Sequence, residues 1–154
     1  MTLAPGMPAP DFELPDASGK LWRLKDLSGK KVVLYFYPID DTPGCTAEAC
    51  DFRDARDDFA KAGYEVLGVS PQGADSHKAF SNKYELNFPL LIDADMRAAQ
   101  AYGAVPREER DYKGTPIEVN RSTFVIDENG RIESAEYGVK ARGHVSRLQE
   151  QLQL

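Results

Sequence analysis

The chain has two cysteines, and both fall in one stretch, Val32 to Phe52, VVLYFYPIDDTPGCTAEACDF. A cysteine attacks, or binds a metal, as its thiolate, so the question is what each thiol's surroundings do to its ionisation. Cys45 follows a Pro43-Gly44 turn and opens a segment, Thr46 to Cys50, that reads as helix. The first turn of a helix carries partial positive charge and free N–H groups, and both favour S⁻ over SH. Cys45 therefore reads as a nucleophile.

Cys50 stands five residues further on. In a helix that spacing means about 500° of rotation and about 7.5 Å of rise, which leaves the Cα atoms roughly 8.6 Å apart. A disulfide needs them within about 7 Å. A bond between the two thus requires the first turns of the helix to unwind, and helix ends are low-stability parts of a structure. Two incidental thiols are the plainest alternative. A metal pair is disfavoured, because C-x-x-x-x-C is not a usual ligand spacing and no nearby His or third Cys completes a tetrahedron. The C-x-x-C spacing of a thioredoxin-type dithiol is absent. A permanent staple makes little sense, since so small a loop removes little chain entropy.

The elements that must position these residues follow from the pattern around them. Val32 to Tyr37 is an unbroken apolar run, as expected of a strand buried on both faces of a sheet covered by helices. Before it, Phe12-Glu-Leu14 and Leu21-Trp-Arg-Leu24 alternate around Pro15 to Gly19 and predict an N-terminal β-hairpin, with Trp22 packed in it. After Cys45 the helix places Ala49, Phe52, Phe59 and Ala60 near one face, and acidic and basic residues from Asp51 to Asp58 on the solvated remainder. Gly63 stops it.

Tyr64 to Val69 is the next strand, 75–86 a helix with His77, Phe80 and Tyr84 on one face, and 89–92 a short strand. A short helix over 96–102 ends near Gly103. Val105 to Asn120 shows no period and reads as a long surface loop, in which Tyr112 is a candidate substrate contact. Ser122 to Ile126 and Arg131 to Tyr137 form a hairpin about Asp127 to Gly130. Val145, Leu148 and Leu152 mark a C-terminal helix, with His144 at its start on the surface. Alternating strands and helices predict one α/β domain over 1–154, with a mixed central sheet flanked by helices. Chemistry in such sheets sits in loops at the C-terminal ends of parallel strands, where the Pro38 to Gly44 loop falls.

Composition bounds the function. Net charge is −6 and the isoelectric point about 5.0, which argues against a nucleic-acid footprint and gives no polybasic membrane anchor. No apolar run approaches the roughly 20 residues of a membrane span, and Met1 to Pro10 has no signal-peptide layout. The expected address is the cytoplasm, where a disulfide is more often transient and catalytic than structural.

One further pattern is specific. Pro38, Thr42 and Cys45 stand as P-x-x-x-T-x-x-C, and Pro43-Gly-Cys-Thr46 with Ala49-Cys50 extends it. This resembles the active-site motif of the peroxiredoxins, in the branch called peroxiredoxin Q or bacterioferritin comigratory protein. The opening PAPDFELPDASGK and the later RSTFVID agree with it. The resemblance implies a thioredoxin-like fold and a thiol peroxidase acting on hydrogen peroxide and organic hydroperoxides, with no metal or other cofactor. It implies Cys45 as the peroxidatic sulfur, which becomes a sulfenic acid, and Cys50 as the resolving sulfur on the same chain. Thr42 would bond the thiolate or the peroxide, Pro38 would shield the sulfenic acid, and backbone N–H groups of Gly44 and Cys45 would take the charge on the leaving oxygen. Arg121 would be the cation near Cys45, and Glu48 would orient it. On its own, Arg121 is an ordinary strand-edge arginine and Glu48 a favourable acid in a first helical turn. Thioredoxin, or glutaredoxin, would reduce the disulfide, and a monomer would suffice. The rival readings are a thiol–disulfide oxidoreductase and a redox sensor using the same pair.

Overall fold

The computed structural model describes residues 2–154. A two-stranded hairpin, β1 (Glu13–Pro15) and β2 (Leu21–Arg23), precedes the central strand β3 (Lys31–Phe36). Then follow α1 (Pro43–Lys61), β4 (Tyr64–Ser70), α2 (Ala74–Tyr84), β5 (Leu90–Ile92) and α3 (Arg97–Tyr102). A small hairpin, β6 (Asp111–Tyr112) and β7 (Thr115–Pro116), leads to β8 (Ser122–Ile126), β9 (Ile132–Tyr137) and α4 (His144–Leu152).

The main sheet has five strands in the order β5-β4-β3-β8-β9. β3, β4 and β5 run parallel; β8 is antiparallel to β3, and β9 to β8. The unbroken apolar run of β3 is explained by its central place. Val32, Leu34 and Phe36 enter one core with α3 and the N-terminal segment. Val33, Tyr35 and Tyr37 enter the other, with α1 and α4 and with Phe80 of α2. The expected mixed sheet between helices is thus present.

α1 starts where its sequence says it should. Pro43 occupies the first turn, where its missing N–H is no loss and its fixed φ is already helical. Gly63, at φ +88°, supplies the left-handed residue after the last turn. The helix buries Phe52 and Phe59 completely, each contributing about 1.5–3 kcal/mol of transfer free energy. Before Phe52 its buried side chains are only Cys45, Glu48 and Ala49. The first two turns are therefore held much less by apolar burial than the rest. Ala55 lies on the buried face, and Ala60, expected there, is exposed.

Two expectations change. The 105–120 segment is not structureless: it holds the β6–β7 hairpin, and Asn120 N–H donates to the Ala104 carbonyl at 3.0 Å across its base. Val119 at its end is buried, which a charged, aperiodic stretch could not announce. His144 is not on the surface. It is fully buried at the start of α4, with Nε2 2.9 Å from Thr123 Oγ1 of β8 and its ring edge-on to Phe52.

Candidate active site

The β3–α1 connection carries Pro38, Thr42 and Cys45 off the end of the central strand. Pro38 comes two residues after the strand and is half-buried. Thr42 is the residue before the helix, in extended conformation, yet it does not cap. Its hydroxyl donates back to the Ile39 carbonyl at 3.0 Å. The first N–H groups of a helix have no partner within it. The amides of Gly44 and Cys45 are such groups, and the uncapped start leaves them unclaimed among the described residues.

Cys45 is the third residue of α1 and only 1% exposed. Arg121, just before β8, reaches it from across the sheet, with Nη2 3.2 Å from Cys45 Sγ. The other guanidinium nitrogen, Nη1, donates to Glu48 Oε1 at 2.6 Å. Glu48 lies one turn after Cys45 and is fully buried, so this is no solvated first-turn acid. Arg121 thus bridges two residues of one helical turn. Burial works against the guanidinium's charge, but Glu48 and Cys45 outweigh it and hold Arg121 above its ordinary pKa. Burial pushes the Glu48 carboxyl up to about 7, against the downward pull of Arg121. Its second oxygen, Oε2, has no hydrogen-bond partner.

Gly44 has a steric duty as well as its amide. A Cβ built there would lie 3.3 Å from Arg121 Nη2, tighter than ordinary carbon contacts. The glycine gives the guanidinium room beside the sulfur.

Cys50 sits one and a half turns further along the same helix, half-buried and also a free thiol. Burial raises its pKa; Arg53 opposes this, and Asp54 and Asp51 add to it. Both thiols lie within the continuous helix α1, so a bond between them needs that helix to open, as the spacing alone required.

The structure brings Gly44, Cys45, Glu48 and Arg121 together, with Thr42 at the start of the same helix. Tyr112 belongs to the β6–β7 hairpin, opposite Thr115, and makes no hydrogen bond to the cysteine cluster among the described residues. Among those residues no three His, Cys, Asp or Glu side chains come together in a way that could hold a metal ion.

Sequence reasoning missed the supports of the loop. Asp40 is buried and accepts hydrogen bonds from the Tyr37 hydroxyl (2.6 Å) and Ser76 Oγ (2.7 Å), and its Oδ2 lies 2.7 Å from His77 Nδ1. His77 is wholly buried, with Nε2 2.9 Å from the Leu91 carbonyl, so it is a polar tie rather than a packing residue. Asp41, at φ +60°, accepts from the Tyr84 hydroxyl and pairs with Lys83. A histidine on the apolar face of α2 was a usable hint. Its partner, 37 positions away in the chain, was not.

Comparison with known proteins agrees in sequence and in structure. The AhpC/TSA family profile matches residues 5–135. A putative peroxiredoxin of Mycobacterium tuberculosis is 48% identical over 150 residues, 97% of this chain and 95% of that protein. The peroxiredoxin Bcp of Bacillus subtilis is 42% identical over 146 residues, 95% of this chain and 92% of its own. Among solved structures, one of Xanthomonas campestris bacterioferritin comigratory protein, concerned with its alkyl peroxide reduction activity, superposes with a TM-score of 0.86 at 33% identity, covering 97% of this chain and 98% of that one. With a motif, a thioredoxin-like fold and relatives matching over nearly the full length, the chain belongs to the AhpC/TSA family of peroxiredoxins, in its peroxiredoxin Q/bacterioferritin comigratory protein branch.

Proposed function

We propose that the chain is a thiol peroxidase that reduces hydrogen peroxide and organic hydroperoxides. The observation that carries this reading is the Arg121 guanidinium 3.2 Å from the sulfur of a cysteine in an uncapped first helical turn. A fixed cation and free amides at that point favour the charge that builds on a departing oxygen. The alkyl peroxide reduction named for the X. campestris protein lends support from a relative.

In the first step Cys45 S⁻ attacks the terminal peroxide oxygen. The S–O bond forms as O–O breaks, and the departing alkoxide or hydroxide takes a proton to leave as alcohol or water. Arg121 and the amides of Gly44 and Cys45 stabilise that oxygen. Thr42 Oγ1 donates to Ile39 and so keeps its lone pairs free to accept the O–H of the incoming hydroperoxide. Pro38 covers the resulting sulfenic acid, and Glu48 fixes the angle of Arg121.

In the second step α1 opens. The Cys50 thiolate attacks the Cys45 sulfur, the S–S bond forms, and hydroxide leaves and is protonated to water. A dithiol protein of the thioredoxin type, or glutaredoxin, then reduces the bond and is itself oxidised. Resolution within one chain is compatible with a monomer working in the reducing cytoplasm.

The test is rapid mixing of reduced protein with one equivalent of peroxide, followed by mass spectrometry of the 45–50 peptide. Consumption within seconds and loss of two hydrogens from that peptide is the expected result; an unreactive Cys45 overturns the reading. A thiol–disulfide oxidoreductase predicts slow peroxide consumption with fast exchange on protein disulfides. A redox sensor predicts one oxidation and no turnover when thioredoxin, its reductase and NADPH are supplied.

A further inference from the structure

The turns that carry both sulfurs are tied at each end to a single residue. Tyr84, the last residue of α2, donates its hydroxyl to Asp41 Oδ1 at 2.6 Å. Asp41 lies just upstream of α1 and holds a left-handed backbone, φ +60°, a region more open to aspartate than to most residues. The backbone carbonyl of the same Tyr84 accepts Arg53 Nη1 at 2.6 Å. Arg53 stands three residues after Cys50, and its own carbonyl accepts Asn87 Nδ2 at 3.2 Å. Lys83 Nζ adds an ion pair to Asp41 at 2.8 Å, and the Phe80 ring lies edge-on to Tyr84 at 5.5 Å.

From Pro43 to Arg53 the helix rises roughly 15 Å. Tyr84 links the two ends of that stretch: its hydroxyl meets Asp41 upstream, and its carbonyl takes the guanidinium that the long Arg53 side chain extends from downstream. Between the two ties lie the turns before Phe52, whose buried side chains are only Cys45, Glu48 and Ala49, and those are the turns that must unwind before Cys45 and Cys50 can meet.

We infer that Tyr84 is a splint: by tying Asp41 to one end of the cysteine-bearing turns and Arg53 to the other, it sets how readily they unwind, and so how fast the oxidised Cys45 is captured by Cys50. It is a positioning residue for the second step and takes no part in the first. The kinetic half of this inference rests on the proposed peroxidase reading; the mechanical half does not.

Tyr84→Phe removes the hydroxyl and leaves the carbonyl tie. The Asp41 carboxylate is 40% exposed, so loss of this bond is expected to raise opening by about fivefold rather than by the full value of a buried charged hydrogen bond. Hydrogen exchange on the reduced protein, with no peroxide present, should then quicken by about that factor for amides 46–52 and stay unchanged in β4. In quenched-flow mass spectrometry the disulfide-forming phase should quicken to match, the sulfinic fraction at high peroxide should fall, and the rate of sulfenic acid formation should hold.

Asp41→Ala should quicken opening at least as much as Tyr84→Phe, since it also removes the Lys83 ion pair. Adding Tyr84→Phe to it should change nothing further, because the hydroxyl has already lost its partner. Asp41→Asn keeps an acceptor for the hydroxyl and loses only the exposed ion pair, so both measurements should stay close to wild type. Unchanged exchange at 46–52 overturns the splint whatever the chemistry does. So does a Tyr84→Phe protein in which both kinetic phases and β4 exchange shift together, the mark of general destabilisation. If exchange responds but wild-type protein forms no Cys45 sulfenic acid, the splint stands as a mechanical element and the peroxidase reading fails instead.

Discussion

Two neighbouring turns of α1 hold the same functional group in opposite settings. In the first, Cys45 is buried beside Arg121, with unclaimed backbone amides around it. In the next, Cys50 is half-buried among Asp51, Arg53 and Asp54, and burial pushes its thiol up. Buried sulfur is not reactive by default, since burial favours the neutral thiol. What sets Cys45 apart is a cation within hydrogen-bond distance of its sulfur, whereas Cys50 has only the opposing pull of Arg53 against its burial.

Exchanging the two cysteines one at a time is the harshest test of that contrast. Cys45→Ser is expected to abolish peroxide consumption, measured by stopped flow. Cys50→Ser should preserve one turnover, then stall thioredoxin-linked NADPH oxidation and accumulate Cys45 sulfinic acid, read by mass spectrometry. A Cys50→Ser protein that recycles normally removes the contrast altogether.

Removing the cation should come next in size. Arg121→Ala is expected to slow peroxide attack by about 100-fold, on the scale of losing one preorganised donor to developing charge. An unchanged rate of sulfenic acid formation would break the link between Arg121 and attack by Cys45.

Glu48→Gln sharpens the comparison without removing the cation, and about a tenfold loss of attack rate is expected if the carboxylate mainly aims the guanidinium. It also carries a stability signature. Burial lifts Glu48 from 4.5 to about 7 in the folded chain, so the native state holds the extra proton between those values. Stability should therefore fall as pH rises from about 4.5 to about 7, and the glutamine variant should flatten that slope in urea melts.

The smallest effect concerns His144, far from the sulfurs in function though packed on Phe52 of the same helix. Burial, with Arg147 and Arg121 adding to it, lowers this imidazole from 6.5 to about 4. The unfolded chain binds the proton first, so stability should be lost as pH falls from about 6.5 to about 4. His144→Gln should remove that part of the acid dependence, visible in melting temperatures at pH 6.5 and 4.5.

The sequence was legible wherever a property is local. Six consecutive apolar residues from Val32 to Tyr37 can only be satisfied by cover on both faces, and β3 has it. Pro43, Gly44 and Cys45 specify a helix start with a sulfur in its first turn, because proline's φ and the free amides act within a few residues. A spacing of five positions from one cysteine to the other already required the helix to open. The motif shared with the family pointed to Arg121 and Glu48 as well, but not to the burial that makes Glu48 a strained acid near pH 7.

Only the folded chain decided the rest. The burial of His144, the Asp40–His77 tie and each end of the Tyr84 grip join residues distant in sequence through a single polar contact. A single hydrogen bond leaves no periodicity to read. Hydrophobic pattern and backbone stereochemistry act along the chain and are written in it; charge, proton affinity and strain depend on which distant groups tertiary packing brings to within about 3 Å.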